Sequence, residues 1–120
     1  MTELTTIIDT HLAGYCEPDP TRRGELLRSV WDAAGELADP PMAGTGPDAI
    51  AGLADVVLQH YPGHRFVRTS AVDAHHDFAR YAWSLEAPDG GSTVTGTDIA
   101  TIVDGRITRI IGFFGDLPPA

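Results

Sequence analysis

The sequence predicts an α+β domain, with helices first and a mainly antiparallel sheet after them. Three observations carry that prediction. Apolar residues recur at helical spacing up to about residue 61, the period changes to two beyond residue 63, and hairpin turn signals divide the second half into strands. Helices followed by a meander pack on one face of a curved sheet. A length of 120 residues suits one domain with a real core, expected to span residues 1–120, and there are no internal repeats.

Leu4, Ile7, Ile8, Leu12 and Tyr15 share one helical face and predict an amphipathic helix over residues 3–16. His11 stands seven residues after Leu4, close to that stripe. Asp19 and Pro20 supply an N-cap and a first helical residue for a second helix over 20–30, with Leu26, Leu27, Val30 and Trp31 inward. "DPPMAGTGP" at 39–47 holds three prolines and two glycines and predicts a loop. A short strand or bend around 33–38 is only weakly signalled. Pro47 opens a third helix over about 48–61, lined by Ile50, Leu53, Ala54, Val57 and Tyr61 and ended by Pro62–Gly63.

"HRFVRTSAVD", "HHDFARYAWSLEA", "STVTGTDIATIV" and "RITRIIGFFG" are four candidate strands, with hairpin turns at "PDGG" and "DG". A two-residue turn at Asp89–Gly90 sets Asp98 opposite Tyr81 and Gly96 opposite Trp83. One face then carries Asp77, Ala79, Tyr81, Trp83, Leu85, Val94, Asp98, Ala100 and Ile102. Asp98 is the anomaly in that wall. A buried carboxylate must bind a proton or find a donor. It either pairs with Arg80, Arg68 or a tyrosine hydroxyl, or serves a ligand in a pocket bounded by the sheet.

The formal charge of −9 and a pI near 4.7 argue against nucleic acid and against an anionic membrane surface as partners. Cys16 is the single cysteine, so no internal disulfide forms and a reducing compartment is expected. The start "MTELTTIIDTHLAGYC" carries acidic residues and does not read as a signal peptide, and no apolar run is long enough to span a bilayer. A cytoplasmic location is the expectation. There is no G-x-S-x-G elbow, no phosphate-loop lysine and no G-x-G-x-x-G. "DAHHD" at 73–77 invites a metal, but adjacent histidines on a strand point to opposite faces, so neither metal nor cofactor is expected.

The order of "PD" after the first helix, "ELADPP", "GTGPDAI" and "DGRITRIIGFFGD" resembles the nuclear transport factor 2-like superfamily. Its members include SnoaL-like polyketide cyclases, ketosteroid isomerases, limonene epoxide hydrolases and scytalone dehydratase. The resemblance implies a cystatin-like α+β cone: three N-terminal helices on a curved, mainly antiparallel sheet, an apolar pocket, and often a homodimer through the outer sheet face. Phe78, Ile111 and Phe113 would furnish that face here. By comparison with the ketosteroid isomerases, Asp39 takes the place of the general base and Asp98 that of the protonated carboxylic acid. His11 stands where their helix-one tyrosine stands, with Tyr15 one turn further on. Ile110, Gly112 and Phe114 would face the pocket. The expected catalytic set is therefore His11, Asp39 and Asp98, with Tyr15, Trp31, Tyr81, Trp83, Ile110 and Phe114 around a small apolar or oxygenated molecule. The implied activity is cofactor-independent acid–base chemistry by a cyclase, isomerase, dehydratase or epoxide hydrolase. The alternative is a non-catalytic module of the same fold that binds an apolar ligand or dimerises.

Overall fold

Helix α1 (Thr2–Tyr15) and helix α2 (Pro20–Val30) lead directly into strand β1 (Trp31–Asp39), which turns back as β2 (Met42–Thr45). Helix α3 (Pro47–His60) follows, then β3 (Arg65–Arg68), β4 (Asp73–His75), β5 (Phe78–Glu86), β6 (Ser92–Val103) and β7 (Arg106–Phe114). The computed structural model describes residues 2–120, apart from the side chain of Thr2. The strands form one mixed sheet in the order β2-β1-β7-β6-β5-β3, with β4 also paired to β5. Only β1 and β7 run parallel among these pairs. The fold is the expected α+β cone.

The helix starts follow local chemistry. Asp19 accepts the Arg22 N–H at 2.9 Å and Pro20 occupies the first turn of α2. Pro47 opens α3 after Gly46, whose φ of 89° is the left-handed region that glycine tolerates.

Three expectations need correction. Trp31 does not lie on the inward side of α2; it caps that helix and begins β1, a nine-residue strand that the sequence signals only weakly. Gly35 lies under the Trp31 ring, where an added Cβ would come within 2.6 Å of Cε3, and the pairing of β1 with β7 shifts between Trp31 and Glu36. That irregularity obscures the strand alternation. Residues 39–47 are not all loop, because Met42–Thr45 pair with β1. Pro40 and Pro41 occupy the hairpin turn, where neither must donate to a ladder. The stretches "HRFVRTSAVD" and "HHDFARYAWSLEA" are not two continuous strands. The chain bends at Ser70, whose hydroxyl accepts the Ala82 N–H at 2.8 Å, and turns at His76, with φ 53°. Asp77 falls in that turn and is exposed.

The β5–β6 register is as expected: Tyr81 pairs with Asp98 and Trp83 with Gly96. The connection is longer than a two-residue turn, closing through the Ala87 N–H to Gly91 O bond after a bulge at Glu86. The helices cover the face carrying Tyr81, Trp83, Leu85, Ala100, Ile102 and Ile110, against Ile8, Leu12, Leu27 and Ile50. Arg23 is an unexpected buried cation. It donates to Glu17 O, Pro18 O and Asp55 and so fastens the α1–α2 turn to α3. No described helix is long and apolar enough to cross a membrane.

Candidate active site

A cavity of about 320 Å³ opens between α1, the second half of α3 and the concave side of the sheet. Its wall is mostly apolar: Leu12, Leu37, Met42, Val57, Phe66, Leu85, Val94 and Ile110 among others. Val56, Pro41 and Phe114 are exposed members of the lining and mark its mouth. The polar groups facing it are few: His11, Tyr15, Asp39, His60, Tyr61, Trp83 and Asp98. No lysine or arginine is among the lining residues.

Asp98 sits on the inward face of β6, 7% exposed. The Tyr81 hydroxyl donates to its Oδ2 at 2.8 Å and the Trp83 indole N–H donates to its Oδ1 at 2.9 Å. Both bonds favour the carboxylate. Burial opposes them and wins, with the charge of Asp39 adding to it, and pushes the Asp98 carboxyl up to about 6. Near neutrality Asp98 can therefore present either form to the cavity. Trp83 reaches it because β6 carries a glycine directly opposite: a Cβ on Gly96 would lie 2.3 Å from the indole Cζ2.

A second indole orders the other side. The Trp31 N–H donates to His11 Nδ1 at 3.0 Å, deep between α1 and β1. His11 is 2% exposed, and burial pulls its imidazole down to about 3. The ring is neutral and Nδ1 is an acceptor, so the proton resides on Nε2. His11 can donate to a ligand and is a poor base. Tyr15 stacks beside it with ring centroids 5.5 Å apart. The Tyr15 hydroxyl is the one buried side-chain polar atom among the described residues with no hydrogen-bond partner. Burial and the two nearby carboxylates push its phenol up, so it stays a neutral donor.

Asp39 ends β1 at the edge of the cavity. Its Oδ1 accepts the Met42 N–H at 3.1 Å, closing the β1–β2 hairpin. It is half-buried, and burial raises its carboxyl against that one bond. Gly112 lies between the two acids on β7. Asp98 pairs directly with it, and Asp39 follows Ala38, whose partner is Ile111.

Neither a protein-family model nor a curated protein matches the chain. Among solved structures it is similar to a candidate isomerase of the SnoaL-like family from Agrobacterium tumefaciens. The identity is 37% over 97% of this chain and 100% of that one, with a TM-score of 0.90. The chain belongs to the SnoaL-like family. The fold is shared with a candidate ketosteroid isomerase from Kribbella flavida, 18% identical over 99% of this chain and 84% of that one, TM-score 0.70. It is shared also with a candidate SnoaL-like polyketide cyclase from Jannaschia sp. CCS1, 16% identical over 92% and 85%, TM-score 0.69.

Within this SnoaL-like cone, the residues expected at the site fall into two groups. His11, Tyr15, Asp39, Trp83, Asp98, Ile110 and Phe114 all line the cavity. Trp31 and Tyr81 do not; they stand behind the wall, 1% and 2% exposed, and act on His11 and Asp98 through hydrogen bonds. Sequence reading missed Phe66, Met42 and the α3 residues Val56, Val57 and His60. Phe66 belongs to a row of rings, 5.4 Å from Tyr15 and 5.3 Å from Trp83. Its period-two spacing before Arg68 was the available signal. His75 ends β4 and His76 begins the turn after it; both are exposed, neither lines the cavity, and their Nδ1 atoms are 2.9 Å apart. No group of three metal-ligating side chains occurs among the described residues. Cys16 Sγ donates to Leu12 O at 3.2 Å and burial raises its thiol.

Proposed function

We propose that this chain is an acid–base enzyme that moves a proton at the carbon next to a carbonyl group of a small, uncharged, largely apolar molecule. The observation that carries this reading is the pair of carboxylates in unlike settings on one cavity, Asp98 buried under two donors and Asp39 half-open at the edge. Two carboxyls whose environments differ can divide acid and base roles. Asp39 takes the proton from carbon, and the electron pair moves onto the substrate oxygen. Asp98 in its protonated form donates to that oxygen, helped by the Tyr15 hydroxyl and His11 Nε2–H. Asp39 then returns its proton to the same carbon or a neighbouring one. The lack of lysine and arginine in the lining disfavours a carboxylated or phosphorylated substrate. We read the working form as a homodimer through the outer sheet face.

The test does not need the natural substrate. 2-Tetralone incubated with the protein in heavy water, followed by NMR, should lose its α-proton signals faster than in buffer. Asp39→Asn should abolish the enhancement and leave binding of 2-naphthol, an enol mimic, nearly intact. Asp98→Asn should slow exchange while keeping the fold and 2-naphthol binding, because an amide still donates. Binding of 2-naphthol with no exchange of the ketone would favour a non-catalytic apolar-ligand module.

A further inference from the structure

His60 stands on the last turn of α3, on the cavity wall across from the sheet, with Val56, Val57 and Tyr61 beside it. Its Nδ1 lies 2.9 Å from the Val56 carbonyl oxygen, one helical turn back. A carbonyl only accepts, so in the neutral ring Nδ1 carries the proton and donates it there. Nε2 is left as an acceptor, and it has no hydrogen-bond partner among the described residues. His11 is fixed the other way round. The Trp31 indole N–H donates to its Nδ1, so its Nε2 is a donor. The cavity thus holds two imidazoles of opposite tautomer, one at its buried end and one at its exposed rim. The buried end, with His11, Tyr15 and protonated Asp98, offers donors, as a carbonyl oxygen requires. Any hydrogen bond that His60 makes with the cavity's contents is made by Nε2, and it needs a donor on the ligand.

We infer that His60 is a specificity-determining residue: its Nε2 accepts a hydrogen bond from a hydroxyl group at the end of the substrate away from the reacting carbonyl, so the cavity prefers hydroxy-ketones to plain ketones. The inference rests on the acid–base reading above, which sets the carbonyl against Asp98 on the sheet. A molecule held there turns its other end toward α3. Beside His60 that wall is Val56 and Val57, whose side chains cannot hydrogen-bond, and Tyr61. The Asp39 carboxylate and the Tyr61 hydroxyl are the competing acceptors in the lining, and removal of His60 alone separates them from it. One net hydrogen bond changes binding by about fivefold.

Binding reads this preference without turnover. Calorimetric titration at pH 8 compares 6-hydroxy- and 7-hydroxy-2-tetralone with 6-fluoro- and 7-fluoro-2-tetralone, whose substituents are similar in size but carry no donor. At least one hydroxy-ketone should bind about fivefold more tightly than its fluoro counterpart. In His60→Phe, which keeps a ring at this exposed site, that ratio should fall to about one. Hydroxy-ketones that bind the unaltered protein no more tightly than the fluoro-ketones overturn the inference. A ratio that survives in His60→Phe overturns it too, because the hydroxyl then sits on Asp39 or Tyr61. Exchange of 2-tetralone in heavy water separates this inference from the reading beneath it. Exchange that depends on Asp39, without a hydroxyl preference, removes only the role of His60. A preference that is lost in His60→Phe, with no exchange above buffer, keeps that role in a binding module and removes the acid–base reading.

Discussion

The indole of Trp83 lies over Gly96 and donates its N–H to Asp98 Oδ1 at 2.9 Å. Gly96 is Trp83's partner across the β5–β6 pair, and Asp98 follows two residues later on the same face. The pairing register alone therefore brings a fixed donor to a buried carboxyl. A Cβ on Gly96 would also lie 2.5 Å from the Phe113 carbonyl, so neither the ring nor the backbone leaves room for it.

Gly96→Ala is therefore expected to destabilise the fold by about 3 kcal/mol, the upper end of ordinary overpacking, measured by urea unfolding. Trp83→Phe keeps a smaller aromatic ring and removes the donor. That bond holds Asp98 down, so its loss should raise the Asp98 midpoint above about 6, as read by carbon-13 NMR titration. A midpoint that falls or stays would show that the indole does not tune the acid.

Asp98 also makes stability depend on pH. Its carboxyl rises from 3.8 in the reference state to about 6 in the fold, so the folded state binds the proton more tightly. Its contribution is fully present below the lower value and is lost as pH rises through about 6. Between pH 4 and pH 8 the wild type should lose about 2 kcal/mol relative to Asp98→Asn, which does not titrate. Parallel unfolding curves for the two proteins at both pH values would refute the shift.

Tyr15 exposes a conflict between stability and function. Its hydroxyl is buried without a partner, which costs a folded protein about 1 kcal/mol or more. Tyr15→Phe removes that group and is expected to raise stability by about 1 kcal/mol in thermal or urea unfolding. The same change should weaken 2-naphthol binding and slow ketone exchange. A destabilised Tyr15→Phe would mean that the hydroxyl is satisfied in solution and is not waiting for a ligand.

The parts of this architecture legible in the sequence were those encoded by local period and pairing. The Asp98 register followed from alternation on β5 and β6, and the three helices from their apolar stripes. What escaped was set by tertiary contact. Trp31 continues the apolar stripe of α2, yet the chain extends there so that its indole can reach His11, 20 residues earlier. The β1–β2 hairpin hid behind two prolines that serve its turn. On α3, Val56 and Val57 read as ordinary helix surface and core, because the sequence does not mark which neighbour a helix leaves open. Tyr81 and Trp31 were recognised as important aromatics, but their places behind the wall depend on side-chain direction, which spacing does not give.

The outer face of the sheet carries Phe78, Ile99 and Phe113, all exposed, with Ile111 paired directly to Ile99 between them. These apolar side chains stand among Arg80, Thr97, Thr101 and Arg109 on the same face, and are more than a solvated sheet normally shows. Sedimentation at micromolar concentration is expected to give a dimer for the wild type. Phe113→Glu combined with Ile99→Glu should give a monomer that retains its helical signal. A wild-type monomer would contradict the homodimer.

His11 offers a prediction of opposite sign to Asp98. Its imidazole falls from 6.5 in the reference state to about 3 in the fold, because burial disfavours the cation. Its contribution to stability is therefore fully present above pH 6.5 and is lost as pH falls toward about 3. In Asp98→Asn, where the Asp98 contribution is absent, the His11 contribution to stability should rise with pH across that window. Nitrogen-15 NMR should show a single neutral tautomer, protonated on Nε2, with no titration between pH 5 and pH 8. Trp31→Phe removes the donor that reserves Nδ1 as an acceptor, and the spectrum should then show both tautomers. If His11 titrates near 6.5 in the wild type, the imidazole is hydrated, and it serves the cavity as a proton carrier and not as a fixed donor.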